Sequence, residues 1–471
     1  MPFRARSHVG AAVVMLAGFL GACAENPQAP DAAQVRRPLA NLAAPVGRPD
    51  RYLVSFKGNE PAAFAQTVQG LGGTVERRLA GLRVAIVSGV GAAGAAQLGA
   101  LGGVETTAQD LSIQFIPAPS IGADALLTLD PALVGALPAG TNQAGAAFYS
   151  RQWNMVGIRA AQAWSATTGG AGKVVCVLDT GIDPDHIDLR NKLVPGLFTS
   201  FISAPLFVGD LDGYDYNFHG SATAGYISSN GLGMASVAPD AKLCSAKVLN
   251  VLGSGSFADI ISAINWVRED AKGNVINMSL GGYVDMSIPG ATTLVALLQR
   301  AIDRATDAGI VVVASSGNDG IDLDADPANF LSVPAQLGNV LSVGATAPVN
   351  QTEFDRRASY SNYGGRTGVD LMAPGGDNAV GNARDLVLSV CSQYQLTLPF
   401  ACGSTSYVLA AGTSEAAPHV SGAAAVVQAA TGASSRSVAR CIVSTADFVG
   451  SRAIFGAGRL NVARAAACVV N

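Results

Sequence analysis

From about residue 150 onward, hydrophobic positions come in short unbroken runs, separated by longer stretches with helical spacing. The runs are "KVVCVLD" (173–179), "KLCSAKVL" (242–249), "NVINMS" (274–279), "IVVVAS" (310–315), "VLSVGA" (340–345) and "VDLMA" (369–373). A strand that is apolar on successive residues has no face to turn to water, so these runs predict a mostly parallel sheet covered on both sides. Helices are predicted over 257–271, 291–308 and 413–430. Strands alternating with helices make an α/β fold, and in such a sheet the site lies beyond the carboxyl ends of the strands.

Upstream the pattern changes. "RYLVSFKG" (51–58) reads as a strand, and 61–71 as a helix. "GGTVERRLAGLRVAIVSG" (72–89) reads as two strands about a turn, followed by an Ala-rich helix near 92–101 and a strand over 104–116. That β-α-β-β-α-β order predicts a small ferredoxin-like α+β module over 51–116. Residues 117–150, rich in Pro, Gly, Ala and Leu, read as a linker before a large domain at 151–471. At the start, Arg4 and Arg6 precede the apolar stretch Val9–Leu20, too short to span a membrane and suited to a signal-peptide core over 1–22. It ends in "LGAC" (20–23), which resembles a bacterial lipobox with lipidation of Cys23. Residues 23–50 would then be a polar, Pro-containing tether. An ordinary signal cut after "ACA" remains the alternative, so the chain is expected in the cell envelope as a lipoprotein or else secreted.

Composition narrows the classes. Of 471 residues, 49% are hydrophobic and 14% charged, which excludes a disordered chain. The net charge of -4, with no zinc-finger or phosphate-loop spacing, gives no expectation of a nucleic-acid partner. Setting Cys23 aside, six of the 7 cysteines remain, an even number that suits an exported chain. Cys391 and Cys402 flank one loop, and Cys441 and Cys468 flank the tail. Cys176 and Cys244 each lie within an apolar run, as neighbours or as buried thiols.

Polar groups gather at the predicted strand ends. Asp179 closes the first run, Gly253, Ser254 and Gly255 follow the second, "SLGG" (279–282) ends the third and Asn318 follows the fourth. "GTSEAAPHVSG" (412–422) offers Ser414 as a nucleophile, with His419 five residues on. On one helix that offset is about 140° around the axis, so the two side chains diverge and His419 is expected to be a packed residue. Pro418 is expected within the first helical turn, where no backbone donor is needed. His219 heads a small-residue helix in "HGSATAG", whose glycine and alanines allow close approach to the sheet. His186, in "DPDHIDL", is expected to pair with surface carboxylates.

Asp in "DTGID", His in "HGxxxAG", Asn in "SSGN" and Ser in "GTSxAAPHVSG" occur in that order. On these motifs the chain resembles the subtilisin-like serine protease family from residue 151 to about 467. It is most similar to the proteinase K branch through "FDRRASYSNYG" (354–364). The resemblance implies a three-layer α/β/α fold and an Asp179–His219–Ser414 triad. It implies that the Asn318 amide and the Ser414 backbone N–H receive the oxyanion; losing one such donor costs about 2.7–4 kcal/mol in a family member. It implies that substrate binds as a strand between Gly253–Gly255 and the backbone of Ser279, Leu280 and Gly281. The primary pocket would be walled by 279–282 and 314–317, including Ser316 and Gly317, with Ser332 near its floor. With no charge on that wall, apolar side chains are expected there. Module 51–116 resembles the family's inhibitory propeptide. The resemblance also implies a cis Val333–Pro334 bond and a structural calcium held by Asp370 with carbonyls of Gly338 and Val340. The catalysis itself would need no cofactor. Asp188 matches a second calcium site whose completing loop is short here. Glu415 departs from the family, which has methionine there; it is expected either in solvent or paired with a base.

Two function classes follow. One is an exported, monomeric serine endopeptidase that acts on proteins or peptides and cuts itself from its propeptide between about 111 and 150. The other is a catalytically silent, envelope-anchored binding protein.

Overall fold

The computed structural model describes residues 46–116, 121, 123–130, 143–325 and 329–469. The leader, Cys23, all but the end of the tether and much of the 117–150 linker lie outside the described residues.

The central sheet has eight strands. In spatial order they are Thr352–Arg357, Val340–Val349, Val311–Ser315, Val275–Met278, Val174–Asp179, Lys242–Lys247 and Leu193–Ser200, with Leu371–Pro374 also paired to Val340–Val349. Every pairing is parallel except the hairpin between Val340–Val349 and Thr352–Arg357. Both faces are apolar, as the unbroken runs require. Val175, Val177, Val275, Val311 and Val313 face the helices His219–Ile227 and Thr413–Thr431. Cys176, Leu178, Ile276, Met278 and Val312 face the helices Phe257–Trp266 and Ala291–Asp307. The two strands missing from the predicted set, Leu193–Ser200 and Thr352–Arg357, are the edge strands; their half-exposed residues carry no apolar run.

Cys176 and Cys244 sit directly opposite each other on adjacent strands and are disulfide-bonded, which decides between the two alternatives. Cys391–Cys402 and Cys441–Cys468 are bonded as the spacing suggested.

The upstream module comprises β1 (Val46–Phe56), α1 (Phe64–Gly70), β2 (Thr74–Leu79), β3 (Val84–Ser88), α2 (Ala92–Gly99) and β4 (Val104–Gln114). Its strands are antiparallel in the order β2-β3-β1-β4, the ferredoxin-like arrangement, and β1 begins ahead of the expected start at 51. This sheet is also apolar on both faces. Tyr52, Val54, Phe56, Ala85 and Val87 pack against α1 and α2. Leu53, Val84, Ile86 and Leu111 share a core with Phe257, Ile260, Ile264 and Leu294 of the large domain. An antiparallel sheet with two apolar faces needs a cover on each, and the large domain supplies the second.

Arg51 stands at this seam, 3% exposed. Its guanidinium meets Glu76 at 2.9 Å, Asp110 at 2.6 Å and Asp259 of the large domain at 3.0 Å. Burial pushes the Asp110 carboxyl up to about 6 despite the pull of Arg51. Removing one partner of such a cluster strands the others. Arg51→Ala is therefore expected to weaken docking of the module by about 3–5 kcal/mol. Hydrogen exchange would show it as faster exchange over β4 and residues 254–256, with the central sheet unchanged; identical exchange would remove Arg51 from the account.

Candidate active site

The candidate residues converge at the carboxyl ends of the central strands. Asp179 is the last residue of its strand, and His219 is the first residue of the His219–Ile227 helix. The chain reaches that helix through a tight loop organised by buried Asp215. Its carboxylate accepts N–H groups from Asn217, Phe218 and Ser221 and hydroxyls from Thr180 and Ser221. Phe218 is thereby held at a positive φ of 98°, uncommon for a bulky residue. Gly220 lies so close to Gly181 that a Cβ there would collide with the Gly181 carbonyl.

His219 Nδ1 and Asp179 Oδ1 are 2.8 Å apart, and both side chains are buried. Asp179 Oδ1 also accepts the Thr180 N–H at 2.7 Å. Burial alone would lower the imidazole pKa. The Asp179 charge and hydrogen bond, then the Glu415 charge, outweigh it and hold His219 up at about 9.

Ser414 occupies the first turn of the Thr413–Thr431 helix. It lines one cavity with His219, while its hydroxyl donates to the Ser279 carbonyl at 3.1 Å. Pro418 is the sixth residue of this helix, one turn later than expected, so its missing N–H does leave a carbonyl unserved. That carbonyl is Ser414's own, and the Ser279 hydroxyl donates to it at 2.8 Å. His419 is the packed residue that its angular position predicted. Its Nδ1 donates to the Glu415 carbonyl at 2.7 Å, Asn154 donates to its Nε2 at 2.8 Å, and its ring stacks on Tyr226. Burial lowers its pKa to about 4, so it is neutral.

Asn318 Oδ1 accepts both the N–H and the hydroxyl of Thr413 at 2.8 Å, which turns its Nδ2 toward the cleft. The loop carrying it is braced by Asn362, which accepts the N–H of Asp319 and Ile321 and donates to the Ser316 carbonyl. Gly317 adopts φ 105° there, and a Cβ would strike the Asn362 amide.

Two cavities meet at Ser414. One, of about 340 Å³, is lined by Gly281, Gly282, Ser315, Gly317, Asn318 and Ser332, with Ile113 and Phe115 of the module's tail also on its wall. Leu280 and Ser316, expected on this wall, are buried and do not line the cavity. The expectation of an uncharged wall is corrected, because Asp319 also lines this cavity. The other, of about 380 Å³, is lined by His219, Tyr360, Gly412 and Glu415 on the far side of Ser414. The chain's own tail lies along the cleft. Ser112, Ile113 and Gln114 pair antiparallel with Ser256, Gly255 and Ser254, and Phe115 N–H donates to Gly253.

Three further expectations are resolved. His186 is fully buried rather than at the surface. One ring nitrogen meets the Ser406 carbonyl and the other accepts the Asp188 N–H, because the loop folds inward beneath Tyr407. Asp188 accepts N–H groups from Leu232, Gly233 and Met234 and the Tyr407 hydroxyl, so protein donors fill the place where the second cation was in question. Glu415 is 4% exposed rather than in solvent; among the described residues it makes no ion pair with Lys or Arg, and the base near it is His219. Gly338, Val340 and Asp370 line one cavity of about 330 Å³. The Gly338 carbonyl accepts from Gln299 and Asp370 Oδ2 from Ser342 N–H, leaving Asp370 Oδ1 and spare carbonyl lone pairs, an oxygen-only set that fits calcium. Val333–Pro334 is cis.

The subtilase family matches residues 170–458. The chain belongs to this family. It is thus a serine-type endopeptidase, one whose class of substrate is peptides and proteins. Subtilisin DY of Bacillus licheniformis is 36% identical over 300 residues, 63% of this chain and 92% of that protein. The thermophilic serine proteinase of Bacillus sp. (strain AK1) is 34% identical over 303 residues, spanning 64% of this chain and 63% of that one. Among solved structures, the epidermin leader peptide processing serine protease of Staphylococcus aureus superposes with a TM-score of 0.67 at 23% identity. That match covers 88% of this chain and 97% of that one, and supports the fold.

Sequence reading of this subtilase missed Asp215, Thr180, Asn362 and Arg51. Each acts through hydrogen bonds to residues distant in the chain or to backbone groups, and no local spacing marks that. The "SNYG" motif that contains Asn362 was visible, but not its job. Because carboxylate charge raises the His219 pKa, Glu415→Gln is expected to lower it from about 9. Nitrogen-15 NMR of the imidazole reads that directly; an unmoved titration would mean that the Glu415 charge does not reach the ring.

Proposed function

We propose that this subtilase is an exported endopeptidase made as a self-processing precursor. Its reaction is peptide hydrolysis by Asp179, His219 and Ser414. The observation that carries the proposal is the buried Asp179–His219 pair facing the cleft that also holds Ser414. In its neutral form, which gains population as pH rises toward about 9, His219 Nδ1 donates to Asp179 and Nε2 is left to take the Ser414 proton once the hydroxyl turns away from the Ser279 carbonyl. Ser414 Oγ then attacks the substrate carbonyl, and the oxyanion is received by Asn318 Nδ2 and the Ser414 N–H at the helix start. The imidazolium returns its proton to the leaving amine, and water resolves the acyl-enzyme by the same route in reverse.

The β1–β4 module acts as the intramolecular inhibitor. What supports this is that its tail, Ser112–Ile116, occupies the groove at Gly253–Ser256 as a substrate strand would. Within the expected span of about 111–150, a cut that leaves this tail on the module falls after Ile116. The leader and Cys23 deliver the chain to the envelope. Gly338, Val340 and Asp370 would hold a calcium ion, whose contribution would be to stability and not to the chemistry.

Intact mass and N-terminal sequencing of the form lacking Cys23 and the tether test the core of this. The wild type is expected as a mature fragment, and Ser414→Ala as the full-length chain. Residual activity should fall about a millionfold, the scale known for nucleophile loss in subtilisin itself. If both stay intact and the wild type is inert towards small peptides, the binding-protein class replaces the protease. For calcium, chelation should lower the melting temperature of the wild type but not of Asp370→Asn; equal melting with and without chelator would discard the ion.

A further inference from the structure

We propose that Glu415 makes the leaving-group side of the cleft selective for a cationic side chain, so that bonds followed by lysine or arginine are cut in preference. This rests on the triad assigned above and names the substrate class that the triad serves.

The direction of the cleft is set by the chain's own tail. It runs from Ser112 to Ile116 toward Ser414, and Ile116 lines the cavity of about 380 Å³. The same chain reappears on that cavity's wall at Ile121, Asp124 and Ala125. A substrate bound with this polarity therefore places the residues after its cut bond in that cavity. No Lys or Arg lines it, whereas Glu415 does.

Among the described residues Glu415 has no Lys or Arg partner. It is 4% exposed, its backbone N–H donates to the Gly412 carbonyl, and no other side chain among the described residues hydrogen-bonds its carboxylate. The nearby tyrosines spend their protons elsewhere: Tyr360 on the Gly375 and Gly376 carbonyls, Tyr226 toward Val387. Gly412 makes the space, since a Cβ there would stand 2.6 Å from Glu415 Oε2 and 3.5 Å from Asn318 Nδ2. The carboxylate and the Asn318 amide thus both border Gly412, and among the described residues His219 is the cationic group whose charge reaches the carboxylate. His219 is already held by Asp179, so it offsets the buried Glu415 charge only in part, and a partner that brings a second cation relieves the remaining cost. An ammonium or guanidinium on the residue after the cut bond does so, while a carboxylate there adds repulsion.

The test uses four peptides that differ only in the residue after the cut bond: Lys, Arg, Ala or Glu. Cleavage by the mature wild type, Glu415→Gln and Glu415→Met is followed by mass spectrometry at pH 8. The ratio of kcat/KM between peptides within one enzyme cancels any effect of Glu415 on the His219 proton. The wild type is expected to prefer Lys and Arg over Ala by about tenfold, with Glu slowest, and both variants to bring Lys and Ala within about twofold. A wild type that cuts Ala as fast as Lys, or a preference that survives in both variants, overturns the inference alone. A folded wild type that cuts none of the four overturns the triad reading, and this inference with it.

Discussion

The Thr413–Thr431 helix is the constraint on which the site depends. It is buried from Thr413 to Gln428, and only a run of small residues such as "SGAAA" lets it press against the sheet at that depth. A proline in its second turn would ordinarily leave a buried carbonyl unserved, at a cost comparable to a lost hydrogen bond. Here the carbonyl belongs to Ser414 and is met by Ser279, whose own carbonyl receives the Ser414 hydroxyl. Ser279 is in turn held by Asn277, and Asn277 by Ser421, two turns along the same helix face as Ser414. The proposed nucleophile is thus fixed by a ring of contacts that joins helix to strand end, and of the first three backbone N–H groups of the helix that of Ser414 is left for chemistry, since Thr413 donates to Asn318 and Glu415 to Gly412.

A second constraint governs the module. Its sheet is apolar on both faces, so one face must be covered by something other than its own helices. Docking on the helices Phe257–Trp266 and Ala291–Asp307 meets that need and brings β4 alongside Ser254–Ser256. Hydrophobic burial gives the docking its strength but no register. The buried Arg51 cluster supplies position, because its three carboxylates come from β2, β4 and the large domain and converge in only one placement.

Electrostatics in the cleft are dominated by carboxylates. Asp179 and Glu415 surround His219 with no Lys or Arg among the residues lining the cavity, and this is why the imidazole binds its proton tightly despite burial. His419, one turn along the same helix as Glu415, has no carboxylate partner and moves the other way. Two histidines with the same intrinsic chemistry are separated by their neighbours.

The chain's local pattern determined a good deal by itself. Unbroken apolar runs specified a two-sided sheet, because a strand with no polar face can sit nowhere else. The angular offset of His419 from Ser414 excluded that pair, since helix geometry does not depend on context. Residues at the strand ends located the site, because parallel sheets bring those ends together. What only the tertiary structure decided is of another kind: the inward turn of His186, the burial of Glu415, the bond between Cys176 and Cys244, the Arg51 cluster and the tail lying in the cleft. Each of these joins residues brought together by the packing of separate elements. Periodicity tells which way a side chain points from its own strand or helix; what it meets there is fixed only when the other elements have closed around it.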